Sequence, residues 1–262
     1  MKYFFSLLAL ILIFGCSKTQ TETSFDENIK IKMIENVDST KRTLTFSCYT
    51  EKNFECSNFY IEHTFAITEN KIIINFIKIT KPNICLTSIG PASAIINLEP
   101  LSNKDKDKDY EIEFNFGSSK VTGQLTITTS AYKVILPPQG KIQFINPALN
   151  RIPDNTIYGT VHFHSNTTLP IVQNFIDSLQ ISGATSAMYI PGDYGSFQIQ
   201  SNGQILQTQD LGYYFTRYFI FNYSANSGQL KTLVRNFGIN YPQLLLITLN
   251  TTKGEIFRSW VP

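Results

Sequence analysis

Charge is scarce in this chain. Asp, Glu, Lys and Arg make up 16% of its 262 residues, against about a quarter in an average globular protein. The 22 basic and 20 acidic residues leave a formal net charge of +2. That balance projects no field strong enough to gather nucleic acid or an anionic membrane, so no nucleic-acid partner is expected. Histidine is scarcer still, with three residues, and Trp260 is the only tryptophan. No Gly-Lys phosphate loop, nucleophile elbow or helical His-Glu-x-x-His occurs, so no specific enzyme class is indicated, and no cofactor. No apolar run reaches the roughly 20 residues a membrane-crossing helix needs, and collagen or heptad repeats are missing. What is present is apolar and aromatic: 42% hydrophobic residues, 20 Phe and 13 Tyr, with a mean hydropathy of -0.07. That is ample for a core and excludes disorder throughout. At roughly 100–200 residues per domain, the length suits two domains.

The N-terminus has the most specific pattern. Lys2 precedes an apolar run from Tyr3 to Phe14, the length of a signal-peptide core and too short to span a bilayer. The run ends at Gly15-Cys16, and Ser17, Lys18, Thr19, Gln20, Thr21 and Glu22 follow at once. This resembles the lipobox of bacterial lipoproteins, where an aliphatic, a variable and a small residue precede an invariant Cys. Here those positions are Ile13, Phe14, Gly15 and Cys16, and Phe14 is bulkier than the residue usual at its place. The resemblance implies a diacylglyceryl thioether on Cys16, cleavage after Gly15 and a third acyl chain on the freed amine. It implies a protein of the bacterial cell envelope, lipid-anchored at the outer membrane, with the membrane as a partner through two or three acyl chains. The alternatives are an ordinary secretory signal with a chance Cys, or a buried N-terminal helix. Residues 1–15 then form the signal peptide and 16–27 a polar tether with one aromatic, Phe25.

Export would permit disulfides. Cys48, Cys56 and Cys85 remain, and three thiols allow three pairings with one left over. Cys48 shares the parity of Leu44 and Phe46 and so points inward. Cys56–Cys85 is the favoured bridge, with Cys48 a buried thiol. No two of the three have the short spacing of a zinc knuckle.

Residues 28–137 alternate with period two. Ile29, Ile31 and Met33 share one parity, as do Phe59, Ile61, His63, Phe65 and Ile67; Tyr110, Ile112, Phe114 and Phe116 follow the same rule. Seven or eight short strands without a helical stretch resemble an immunoglobulin-like β-sandwich. His63 on the apolar parity reads as a core or rim histidine. Asp105, Asp107 and Asp109 mimic the start of a calcium loop, but Tyr110 and Phe116 stand where its glycine and bidentate acid belong.

Prolines at 137, 138, 147 and 153 mark 138–155 as a linker. Residues 156–262 mix helix and strand. Val172, Phe175, Ile176 and Leu179 predict a helix after Pro170, and Leu230, Leu233, Val234 and Phe237 a second one stopping at Gly238. Strands are expected at 157–164, 213–223, 244–249 and 256–260. The order resembles a ferredoxin-like split β-α-β α+β domain with extra strands, which implies no function by itself.

Two functions follow. The first is a non-enzymatic binding or cell-envelope interaction protein, with Tyr158, His162, Tyr214 and Tyr218 sharing a sheet face that offers stacking area for a glycan or protein ligand. The same rings could instead bury a contact between domains. The second is a metal-dependent hydrolase using His162 and His164, which alternation places about 6–7 Å apart on one face; a third ligand would have to come from Asp154, Asp177 or Asp193.

Overall fold

The computed structural model describes residues 25–38, 41–101, 107–138, 140–207 and 215–260. Cys16 with its surrounding motif, Tyr214 and Asp105 lie outside them. About half of the described residues are in strands and about 15% in helices. Eight strands come first: β1 (Ile29–Val37), β2 (Arg42–Phe54), β3 (Tyr60–Ile67), β4 (Lys71–Thr80), β5 (Gly90–Leu98), β6 (Lys108–Phe116), β7 (Ser119–Ile127) and β8 (Ala131–Ile135). Two strands of three residues follow, β9 (Ile142–Phe144) and β10 (Ala148–Asn150).

All ten join one curled, half-barrel sheet in the order β10-β8-β7-β6-β4-β3-β5-β2-β1-β9. This corrects the expected immunoglobulin-like sandwich: among the described residues the ten strands join one sheet, in which β3 and β5 meet at a single pair, Tyr60 with Ser93. Alternation reports which side chains face inward, but not which strand edges pair. A continuous sheet curled on itself buries the same parity as a sandwich does. The inward side chains form one cluster that runs from Phe25 and Ile29 through Phe46, Ile74 and Phe114 to Tyr132 and Leu149.

Residues 138–155, expected as a linker, supply β9 and β10, and these lie at the two opposite edges of the sheet. β9 runs parallel to β1, and β10 antiparallel to β8. Only residues 145–147 separate them, so one short segment bridges the seam of the curl. Its bonds go to both sides. Ile145 N–H donates to the Ile31 carbonyl at 2.8 Å, and Val134 N–H donates to the Pro147 carbonyl at 2.8 Å. Between them the Asn146 side chain acts as a strand would: Met33 N–H donates to its Oδ1 at 2.7 Å, and its Nδ2 donates to the Met33 carbonyl at 2.9 Å. An edge with unpaired backbone groups is thereby satisfied.

The rest of the chain forms β11 (Thr156–Phe163), α1 (Leu169–Ile181), the hairpin β12 (Gly192–Asp193) and β13 (Gln198–Ile199), β14 (Phe215–Asn222), α2 (Ser227–Asn240), β15 (Leu245–Thr251) and β16 (Ile256–Arg258). The sheet order is β14-β11-β15-β16, with every neighbouring pair antiparallel. The ferredoxin-like expectation is corrected too. β14, α2 and β15 make one split β-α-β unit around β11, but α1 links β11 to its own antiparallel neighbour β14, so the second unit that fold requires is not formed. Helical spacing has its usual origin here: Val172, Phe175, Ile176 and Leu179 of α1, and Leu230 and Val234 of α2, bury against Ile157, Val161 and Phe219. Gly238 does not stop α2. A Cβ there would sit 2.1 Å from the Ser259 carbonyl oxygen, so glycine permits the helix to touch the chain's last described segment. Among the described residues, no helix is long and apolar enough to cross a membrane.

A third cluster joins the two sheets. Tyr189, Tyr194, Phe197 and Ile199 pack on Tyr158, Tyr218 and Ile220 of the small sheet and on Val37 at the end of β1. Gly195 sits at φ +81°, where side chains are strained, and its missing Cβ would lie 3.4 Å from Ile34 Cα. The 185–207 segment thereby reaches the curled sheet.

Candidate functional site

The third cluster decides the fate of the aromatic face expected to bind a ligand. Tyr158 and Tyr218 do share a face of the small sheet, away from the helices, but the 185–207 segment covers it. The Tyr158 and Phe197 rings lie 5.2 Å apart, and burial raises the Tyr158 phenol above its ordinary pKa. Gln207 closes the edge at Tyr218: Tyr218 N–H donates to its Oε1 at 2.8 Å, and its Nε2 donates to the Tyr218 carbonyl at 3.0 Å. These rings pack into the contact between the two sheets.

The two histidines are also engaged locally. His162 is half-buried between two hydroxyls, with Thr216 Oγ1 at 2.9 Å from Nδ1 and Thr160 Oγ1 at 3.2 Å from Nε2. His164 is exposed, one residue beyond the end of β11. Among the described residues, no group of three or more His, Cys, Asp and Glu side chains is placed to hold a metal ion. His63 is half-buried, its Nδ1 at 3.1 Å from the Ile61 carbonyl oxygen.

The cysteines are arranged simply. Cys56 and Cys85 are joined, with Cα atoms 5.4 Å apart. Cys48 is a buried free thiol, and desolvation pushes its pKa well above the ordinary value. A thiol held neutral in this way is a poor nucleophile.

The strongest polar constellation is one that sequence reasoning missed. Glu35 continues the inward parity of Ile29, Ile31 and Met33 on β1, and its side chain is fully buried. Both oxygens are occupied. Oε1 accepts from Tyr132 OH at 3.1 Å and from Arg151 Nε at 3.2 Å; Oε2 accepts from the Ile152 N–H at 2.8 Å and lies 3.3 Å from Arg42 Nη1. Arg42 also donates to the Ile152 carbonyl, and its Nη2 meets Asp154 Oδ1 at 2.5 Å. Arg151 reaches the Thr128 carbonyl at 3.1 Å, and its guanidinium lies 5.2 Å from the Tyr132 ring centre. Burial, reinforced by the Glu35 carboxylate, drives the Tyr132 phenol far above its ordinary pKa. The sequence did carry a signal: a carboxylate on an otherwise apolar parity.

Above this cluster opens a cleft of about 600 Å³. Arg42 and Arg151 form its polar wall, Asp154 stands at its mouth, and Met188, Tyr189 and Ile190 form its apolar side. Met188 is 99% exposed, so the apolar side includes a side chain with no packing partner to hold it. The Tyr189 hydroxyl is buried beside the Thr156 hydroxyl. Planar guanidinium forks and an apolar lip together suit a ligand that has a carboxylate or similar planar anion next to an apolar group.

Comparison with protein-family models, with curated proteins and with solved structures finds no match for this chain.

Proposed function

We propose that the chain is an exported, lipid-anchored protein of the bacterial cell envelope, held at the outer membrane through Cys16, and that it acts by binding. Its binding site is the cleft on Arg42 and Arg151. The observation that carries this reading is the position of the cleft. Phe25, near the end of the tether, and the start of β1 lie at one end of the curled sheet; Arg42 and Asp154 lie at the other end, about 26 Å further along β1. A protein tethered before Phe25 would present the cleft away from its anchor. The Cys56–Cys85 bridge supports export, since such bonds persist in oxidising compartments.

Asp154 is 88% exposed at its side chain, so its pair with Arg42 is weak in net terms and exchangeable. An incoming carboxylate would take its place on the guanidinium fork. Short apolar peptides with free and with amidated C-termini test this by titration calorimetry. The free carboxylate should bind at least roughly tenfold tighter, as expected for a charge-assisted pair worth about 1.5–3 kcal/mol. Asp154→Asn should tighten it further, and Met188→Asp should weaken it. Equal binding of both peptide forms, or indifference to Asp154→Asn, would remove the cleft from this account.

A further inference from the structure

Between β4 and β5 lies a nine-residue connection, 81–89, almost all of it exposed. It displays three large aliphatic side chains: Ile84 is 78% exposed, Leu86 55% and Ile89 76%. Single exposed aliphatics are ordinary. Three within six residues make a patch that calls for an occupant. Nor is this a slack loop whose side chains could turn inward. Cys85 is bonded to Cys56. Asn58 grips both neighbours of Cys85: its Nδ2 donates to the Ile84 carbonyl at 2.7 Å, and Leu86 N–H donates to its Oδ1 at 3.1 Å. Ser88 Oγ donates to Ser57 Oγ at 2.7 Å. The backbone is pinned on both sides of the disulfide, and the aliphatic groups are presented outward.

The position of this loop identifies the occupant. β2 pairs with the start of β1 at Ile29–Thr50 and then continues to Phe54, which pairs with Gly90 at the end of the loop. The Phe25 ring lies 5.8 Å from that of Phe76, and β4 ends four residues later at Thr80. The chain therefore leaves its tether at the same end of the sheet that carries the loop. Cys16 stands nine residues before Phe25, a span of about 30 Å at full extension. The charges at this end are mutually paired: Lys52 with Glu27 at 3.3 Å, Lys81 with Glu55, and Lys141 with Asp26. A surface with apolar prongs and balanced charge suits the headgroup–acyl boundary of a bilayer better than a polyanion.

The geometry points to residues 84–89 as a second, non-covalent membrane contact, with Ile84, Leu86 and Ile89 entering the lipid interface. Its orientation rests on the lipid-anchor reading, while its chemistry is its own. The test uses the full chain with Leu86→Trp, in vesicles of phosphatidylethanolamine and phosphatidylglycerol with brominated acyl chains. Emission from the introduced indole should shift to the blue and be quenched by the bromines, whereas the parent chain, with Trp260 alone, supplies the background. Ile84→Ser and Ile89→Ser, each added to Leu86→Trp, should each shift the inserted-to-withdrawn ratio roughly tenfold, since each removes a large apolar side chain from the interface. Added salt should leave the signal unchanged. Because both positions are exposed, thermal melting of these variants should match the parent, which separates loss of insertion from loss of fold. Unaltered emission from the Leu86→Trp chain and no quenching would overturn the proposal. So would a dimer that depends on Ile84 in sedimentation, which would make a second copy the occupant. The anchor is read separately, by mass: acyl chains present with a silent indole would sink the loop alone, and a quenched indole on an unacylated chain would sink the anchor alone.

Discussion

At the scale of single residues, Glu35 carries the most consequence. Its carboxylate is fully enclosed and joins β1, β8 and the segment after β10 through Tyr132, Arg151 and the Ile152 backbone. Truncating one member of such a group strands the others. Glu35→Ala should therefore lower unfolding stability by about 3–5 kcal/mol, read from urea denaturation. The effect should far exceed that of breaking an exposed pair, such as Lys41 with Glu99 at 2.6 Å, because solvent screens such a pair and its long side chains lose freedom in making it. Glu113 gives a pH prediction. Lys120 and Lys71 hold its carboxyl at 2.6 and 2.7 Å, and these hydrogen bonds, with that from Asn115, lower its pKa from about 4.5 to about 2. The folded state thus binds fewer protons than the unfolded chain between those values. The stabilisation is complete above about pH 4.5 and is lost progressively as pH falls toward 2. A series of melting temperatures over that range should fall less steeply for Glu113→Gln than for the parent.

At the scale of elements, close approach and crosslinking decide what is tolerated. Gly159 is in the middle of β11, between β14 and β15, where a Cβ would meet the Thr248 carbonyl oxygen at 1.9 Å. Neither backbone can yield without opening the sheet, so Gly159→Ala should destabilise the protein by more than about 2 kcal/mol in urea denaturation, as strongly strained buried substitutions do. The disulfide closes a span of 29 residues. Replacing both of its cysteines with serine should cost about 3–4 kcal/mol in the chain-entropy account, seen as a lower melting temperature that reductant no longer alters. Elements also show how far the sequence can be read. The inward side of β1 is visible in Ile29, Ile31 and Met33, and α1 in Val172, Phe175, Ile176 and Leu179, because each pattern repeats often enough to fix a period. β9 and β10 are invisible: three residues apiece, next to Pro147, give alternation nothing to repeat. They are also the strands that sit at the sheet's two edges. That is why residues 138–155 read as a linker and the curled sheet as a sandwich. The cleft escaped for a related reason. Glu35, Arg42 and Arg151 are spread along the chain, and only the curl brings all three together. Glu35's parity alone hinted that a charge was buried.

At the scale of the whole molecule, the curled sheet has two unlike ends. One end of the curled sheet carries the exit toward Cys16, the stapled aliphatic loop and balanced charges; the other carries the arginine-walled cleft with its exposed Asp154 and Met188. The aromatic contacts of Tyr158, Tyr189 and Phe197 fix the small sheet to the cleft end. In the proposed reading an anchor at the first end gives this arrangement its purpose, and the direct measurement is the intact mass of the product purified from its native membrane. The account predicts a chain that starts at Cys16 and carries the mass of two or three fatty acyl groups, lost in Cys16→Ser. A mature chain that starts elsewhere, or one that starts there without fatty mass, would contradict it.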